Sequence, residues 1–229
     1  MILLLFLGTL AISLFASWKV KSTYNRYSQM GAASGYTGAQ IAQRILDLND
    51  IRDVSIHATQ GHLTDHYDPS NKRLVLSEEN YYGTSVAALG VAAHECGHAI
   101  QHKQLYAPLQ WRMAAVGITN IASQVVMWIP LIGLFGGLIP YKLAITIMAV
   151  GFGILMLFQL VTLPVEFDAT ARAKKVLSTT GAVSAGTEYN SMSKVLDAAA
   201  LTYVAAFVSS LAYFLYYLLQ MTGLRSNDE

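Results

Sequence analysis

Long runs without charge divide this chain into segments. Residues 2–18 carry none, and 17 residues of helix reach about 26 Å, just enough to span a bilayer. Two further apolar runs, 115–138 and 143–163, are separated by Pro140, Tyr141 and Lys142. Each is long enough to cross, and the short connection predicts an antiparallel hairpin. A last helix is predicted from near Ser191, apolar enough to span at about 200–222 and ending before Gly223. The tail from Arg225 to Glu229 is polar and reads as loose. No Lys or Arg precedes the first run, whereas Lys19, Lys21 and Arg26 follow it. That pattern predicts an uncleaved anchor, not a signal peptide, with its N-terminus outside.

Between these runs the periodicity changes. Residues 22–36 are polar, with Gly31 and Gly35, and read as a linker. Thr37 and Gln40 have the spacing of a capping box, and Ile41, Ile45 and Leu48 share one helical face. Val54 and Ile56 alternate within a short strand at 52–59. Leu63 to Tyr67, the turn Asp68-Pro69-Ser70-Asn71, and Lys72 to Ser77 predict a hairpin. A helix with Thr84 or Ser85 as N-cap follows and stops before Pro108. After the second apolar pair, Pro164 is expected to break or restart the helix at Val165. The polar, basic stretch from Glu166 to Ser178 follows, Gly181 is a C-cap signal, and 182–190 is a loop.

Composition agrees with a membrane protein. Hydrophobic residues are 54% of the 229 and charged residues 13%, about half the usual charged share. Between Arg112 and Arg172 the only acids and bases are Lys142, Glu166 and Asp168. The net charge of +1 argues against nucleic acid as a partner. One cysteine, Cys96, excludes an internal disulfide and a multi-cysteine metal site. Segments 19–112 and 164–198 hold 13 of the 15 Lys and Arg. Four spans with that bias place both segments in the cytoplasm and both termini outside.

The chemistry lies in His94-Glu95-Cys96-Gly97-His98. On a helix, His94 and His98 stack one turn apart and can reach one cation. Zinc suits imidazole ligands and tolerates an open coordination position. Glu95 lies beside that position, where it can take a proton from water and pass it to a leaving amine. With six His and six Glu in the chain, a chance H-E-x-x-H is expected about 0.004 times. The plainer reading is a helix with two hydrogen-bonded histidines and a stray carboxylate, which an apolar helix disfavours. Cys96, at i+2, faces away from both histidines and reads as packing.

Catalytic zinc usually has three protein ligands. His102 stacks with His94 and His98, but three turns cover about 12 Å, too far for one ion, so it reads as a solvated or surface histidine. Gln104 stands where another class of zinc proteases needs a third histidine. Glu166 remains, just beyond a span, where an unpaired carboxylate near lipid is costly. A helix-start carboxylate favoured by the dipole is its other reading.

Three motifs, LTDHYDP at 63–69, VAAHECGHAIQH at 91–102 and LPVEFDATARA at 163–173, resemble the YugP-type zinc-dependent membrane peptidases over nearly the whole chain. More distantly the sequence is similar to the HtpX and CAAX-prenyl-protease metallopeptidases. The resemblance implies one zinc ion per chain at His94, His98 and Glu166, with Glu95 as base. One position departs from the pattern. Where gluzincins usually carry an Asp four residues after the glutamate ligand, this chain has Thr170. Asp168 or another carboxylate is then expected to orient a ligand.

Other residues carry two readings. Asp65 and His66 could orient a ligand or stabilise an oxyanion, or they could serve the hairpin turn; His57 is a second candidate oxyanion donor. Lys72 to Ser77 could be an edge strand that pairs with a peptide or an ordinary core strand. Asn120, Ser123 and Gln124 could line a cavity or bond between helices.

The resulting expectation is a mainly α membrane protein with four transmembrane helices and a small α+β, zincin-like catalytic unit on the cytoplasmic side. Its segments are 1–18 (anchor), 19–112 (H-E-x-x-H part), 113–163 (hairpin), 164–198 (third ligand), 199–222 (last span) and 223–229 (tail). The expected function is a zinc endopeptidase of the cell membrane, acting on peptides or membrane proteins in or at the lipid bilayer. The rival is a non-catalytic metal-binding scaffold or sensor, with Asp65, His66 or Asp168 filling the ion's fourth position. A small transporter fits less well, since no paired broken helices or repeats are evident.

Overall fold

The computed structural model describes residues 1–136 and 139–223. The elements run α1 (Ile2–Tyr27), α2 (Gly38–Leu48), β1 (Ser55–Thr59), β2 (His66–Asp68), β3 (Arg73–Ser77), α3 (Glu78–Tyr82), α4 (Val86–Lys103), α5 (Ala107–Gly136), α6 (Tyr141–Thr179) and α7 (Thr187–Met221). Four of these, α1, α5, α6 and α7, are long and apolar enough to cross a membrane. The chain divides into two compact units. One comprises residues 1–14, 110–163 and 203–229; the other comprises 15–109 and 164–202. The predicted tail from Arg225 to Glu229 lies outside the described residues, as do Gly137 and Leu138 at the end of the second apolar run.

The first unit is built from helices that carry apolar side chains outward. Leu3, Leu4, Leu14, Trp128 and Leu157 are all more than half exposed. Small residues and aromatics join the helices to each other. A Cβ at Gly151 of α6 would sit 2.6 Å from Val126 of α5, a close approach typical of membrane helix pairs. Phe152 stacks on Tyr213 of α7 at 4.8 Å, and Thr9 of α1 bonds the Tyr213 hydroxyl at 3.3 Å. Ser123 bonds the Thr119 carbonyl and Gln124 accepts from Trp128, so both side chains are used within α5 itself.

The second unit has a conventional core. Thr37 caps α2 through a complete capping box, and Ile41, Ala42, Ile45 and Leu46 are fully buried. They pack against α4, which Ser85 caps by accepting from the Ala88 amide at 3.1 Å. The sheet has the order β1-β3-β2. β2 and β3 form the antiparallel hairpin, and β1 runs parallel to β3. Strand β3 is therefore central, which removes the reading of Lys72 to Ser77 as a free edge. Its Leu74 and Leu76 are buried in the core.

Three local expectations are corrected. Helix α1 continues to Tyr27, where a linker was expected, because Tyr24 and Tyr27 form a buried stripe three residues apart in a polar-looking sequence. Helix α6 runs unbroken through Pro164. A proline removes one amide and crowds one carbonyl, and here the helix tolerates both. Helix α7 starts at Thr187, not Ser191, with Glu188 accepting from the Ser184 amide at 2.8 Å and the Ala33 amide at 2.9 Å. Gly181 has φ +68° just beyond α6, as its C-cap signal requires.

Asp65 joins the hairpin to α3. It accepts from the Ser77 amide at 2.8 Å and from Asn80 Nδ2 at 2.9 Å, and Asn80 in turn accepts from the Tyr24 hydroxyl at 2.7 Å. Ser77 and Asn80 are fully buried, so removing the carboxylate strands their donors. Asp65→Ala is expected to cost about 1–3 kcal/mol. It should be read as a lower Tm in detergent with metal content unchanged.

Candidate metal centre

Helices α4 and α6 bring three ligand-bearing side chains together. His94 and His98 come from successive turns of α4, and Glu166 comes from α6. One donor atom of each lies within 4.8 Å of the others. Glu166 Oε2 is 3.2 Å from His94 Nε2 and 3.6 Å from His98 Nε2. Tetrahedral donors about 2.0–2.1 Å from zinc stand about 3.4 Å apart, so both distances fit the edges of such a site. The donor set, two imidazoles and one carboxylate, is also one that zinc accepts.

The other ring nitrogens are held as well. His94 Nδ1 lies 3.3 Å from Thr170 Oγ1, and His98 Nδ1 lies 3.0 Å from Gln101 Oε1. Gln101 is fully buried and its orientation is dictated. Its amide nitrogen donates to the Val165 carbonyl and to Asp168 Oδ2, both at 2.8 Å, and these groups can only accept. Its oxygen must therefore face His98, and His98 Nδ1 carries the proton. Nε2 then presents a lone pair toward Glu166, which is itself an acceptor. That holds for the neutral ring; as an imidazolium His98 donates from Nε2 to the carboxylate, so a second proton or a shared metal ion completes the contact. Burial pulls the His98 pKa down, but the hydrogen bond with Glu166 and the charges of Glu95 and Glu166 outweigh it and hold it above its ordinary value. That shift marks a ring that favours a positive charge beside the carboxylate.

Close helix packing makes this possible. A Cβ at Gly97 would sit 2.8 Å from the Ala169 carbonyl oxygen and 3.0 Å from its Cα. The glycine inside the motif lets α6 approach α4 backbone to backbone. Cys96, fully buried, points to the opposite side and donates to the Ala42 carbonyl at 3.6 Å. Burial and the neighbouring Glu95 push its thiol well above the ordinary range. Glu95 is buried and, among the described residues, accepts no hydrogen bond.

The remaining sequence candidates lie elsewhere. His57 on β1 bonds Ser55 Oγ at 2.8 Å, and His66 on β2 bonds the Thr64 carbonyl at 2.9 Å. Neither is in the three-residue group. Asp168 touches no ligand directly and reaches His98 through Gln101, while Arg172 holds the same carboxylate oxygen. His102 is half-buried and bonded to the Tyr67 hydroxyl at 2.9 Å, not a solvated residue. Burial, with Asp53 and Asp68 nearby, pushes Tyr67 up to about 12. Gln101, Thr170 and Gly97 escaped the sequence reading. Only the first two carried a signal: Gln101 falls three residues after His98, and Thr170 four after Glu166, each on its ligand's helical face.

A buried His-His-Glu group on two packed helices, one bearing H-E-x-x-H, has the ligand types and spacing that could hold a metal ion. Over residues 2–222 the chain matches the family described as "Putative neutral zinc metallopeptidase", and it belongs to that family. It is 44% identical over 223 residues to the "Putative membrane protease YugP" of Bacillus subtilis (strain 168), covering 97% of this chain and 96% of that one. No solved structure matches.

Two substitutions probe the centre. Gly97→Ala should cost about 1–3 kcal/mol by overpacking and lower zinc stoichiometry. Gly117→Ala, where a Cβ meets nothing within 4 Å, should leave both unchanged. Gln101→Leu should weaken metal binding about 10–100-fold, measured by competition with a chromogenic chelator; unaltered affinity would refute the tautomer assignment.

Proposed function

We propose that this protein is an integral membrane zinc endopeptidase that hydrolyses peptide bonds of membrane or membrane-associated proteins. The observation that carries it is the convergence of His94, His98 and Glu166, with one ligand atom of each within 4.8 Å of the others on two packed helices. One zinc ion per chain is held by His94, His98 and Glu166. The name of the relative, a membrane protease, points the same way.

Bound there, zinc supplies polarisation of the scissile carbonyl and acidification of water. Glu95 takes the proton that water loses as its oxygen attacks the carbonyl carbon. It returns that proton to the departing amine. The place of Glu95 next to His94 within H-E-x-x-H supports a chemical task for it. Gln101 and Thr170 fix the two imidazoles, and Asp168 fixes Gln101, in place of the aspartate that gluzincins carry at the Thr170 position.

The segment divisions and orientation belong to the same reading. Residues 1–18, 113–163 and 199–222 cross the bilayer, and 19–112 with 164–198 form a zincin-like catalytic part facing the cytoplasm. Both termini lie outside. The distribution of Lys and Arg supports this.

The scaffold or sensor reading needs a fourth protein donor. Its candidates are engaged with other groups: Asp65 with Ser77 and Asn80, His66 with the Thr64 carbonyl, Asp168 with Gln101 and Arg172. This favours the enzyme.

Glu95→Gln should retain zinc and lose at least about 10²-fold in proteolysis of a membrane-protein substrate. Glu166→Ala should lose the metal itself. Full zinc occupancy in Glu166→Ala, or full activity in Glu95→Gln, would overturn the assignment.

A further inference from the structure

Away from the metal centre, a cleft of about 570 Å³ lies between the charged ends of α1 and α7. Lys19, Ser22, Thr23 and Arg26 line one wall, and Lys194 and Asp197 the other. Each set follows i, i+3/i+4, i+7 spacing, so each helix turns one face to the cleft. The Arg26 guanidinium lies 5.5 Å over the Tyr27 ring, which restrains it.

The charge balance is one-sided. Among the described residues, no carboxylate pairs with Lys19, Arg26 or Lys194. The one acid of the cleft, Asp197, is bonded to Lys174 Nζ at 2.6 Å and to Ser193 Oγ. Three unpaired cations, with two hydroxyls between them, make a site for an anion with several acceptor oxygens, of which a phosphate ester is the common case.

The sequence around the cleft selects the source of that phosphate. On α1, Lys19 directly follows the uncharged run 2–18; on α7, Asp197 is the last charged residue before the apolar run to Met221. Ala198 and Leu201, also in the wall, begin that run. Cations beside apolar helix faces at such a boundary suit a molecule with a phosphate head and hydrocarbon tails.

We propose that the cleft formed by Lys19, Arg26 and Lys194 binds the head group of an anionic phospholipid. The site is independent of the metal centre and stands whether or not the protein is a peptidase.

The test uses full-length protein in a neutral detergent, with lipid binding followed by native mass spectrometry. Phosphatidylglycerol should bind about tenfold or more tightly than phosphatidylcholine, and the triple variant K19Q/R26Q/K194Q should erase that preference. K21Q/R73Q/K175Q removes the same charge outside the cleft and should retain it. Asp197→Asn should tighten phosphatidylglycerol binding, a gain that misfolding cannot imitate. Equal losses in both triple variants would reveal only a diffuse field and overturn the proposal, as would no gain in Asp197→Asn. Displacement of phosphatidylglycerol by inorganic phosphate at equal concentration would make it a free-anion site and overturn the lipid assignment.

Discussion

The second unit is organised around one buried electrostatic contact. His98 Nε2 and Glu166 Oε2 face each other from different helices, 3.6 Å apart and nearly sealed from water. Gln101 commits one His98 proton to the opposite ring nitrogen, so a second proton or a metal ion must fill the space between Nε2 and Oε2. Such a contact is tolerated only where a cation completes it or where surrounding packing forces it. The packing is built in. The α4–α6 approach at Gly97 and Ala169 holds the two backbones together, and the buried faces of α2 and α4 keep α4 from rotating away.

That arrangement explains how the chain departs from the usual gluzincin pattern without losing its logic. An aspartate four residues after the ligand glutamate would place a second carboxylate beside the first. Thr170 instead offers His94 Nδ1 a neutral hydroxyl at 3.3 Å. The negative charge is displaced to Asp168, one amide away from His98 and neutralised by Arg172. A buried group with the Glu166 carboxylate and Glu95 nearby thus avoids a third close negative charge, whose desolvation would be severe.

Much of this was legible in the residues. The four apolar runs, the Thr37 capping box, the Ser85 cap, the hairpin around Asp68-Pro69 and the convergence of His94, His98 and Glu166 follow from periodicity, turn chemistry and ligand spacing. What escaped shares one cause: periodicity fixes a residue's face but not what the neighbouring element presents to it. Tyr24 and Tyr27 looked like linker residues because the core they enter comes from α2, α3 and α4. Gln101 looked like an ordinary polar residue near a helix end, since its partners Val165 and Asp168 lie more than sixty positions away. Strand β3 became central only because β1 adds to it in parallel across the hairpin, and pairing of that kind leaves no local mark. Pro164 misled for another reason. The rule against proline inside a helix concerns one lost hydrogen bond and one steric conflict, and apolar helices often absorb both.

The carboxylates of the second unit separate by use. Asp65 ties the hairpin to α3, Glu188 caps two amides, Asp168 orients Gln101, and Asp197 answers Lys174. Each is at least partly exposed and each accepts bonds from fixed donors. Glu166 faces the imidazoles of His94 and His98. Glu95 remains buried without a hydrogen-bond donor among the described residues. On the proposed reading, the partner of Glu95, within one turn of both histidines, is a reactant: a water molecule whose proton it takes.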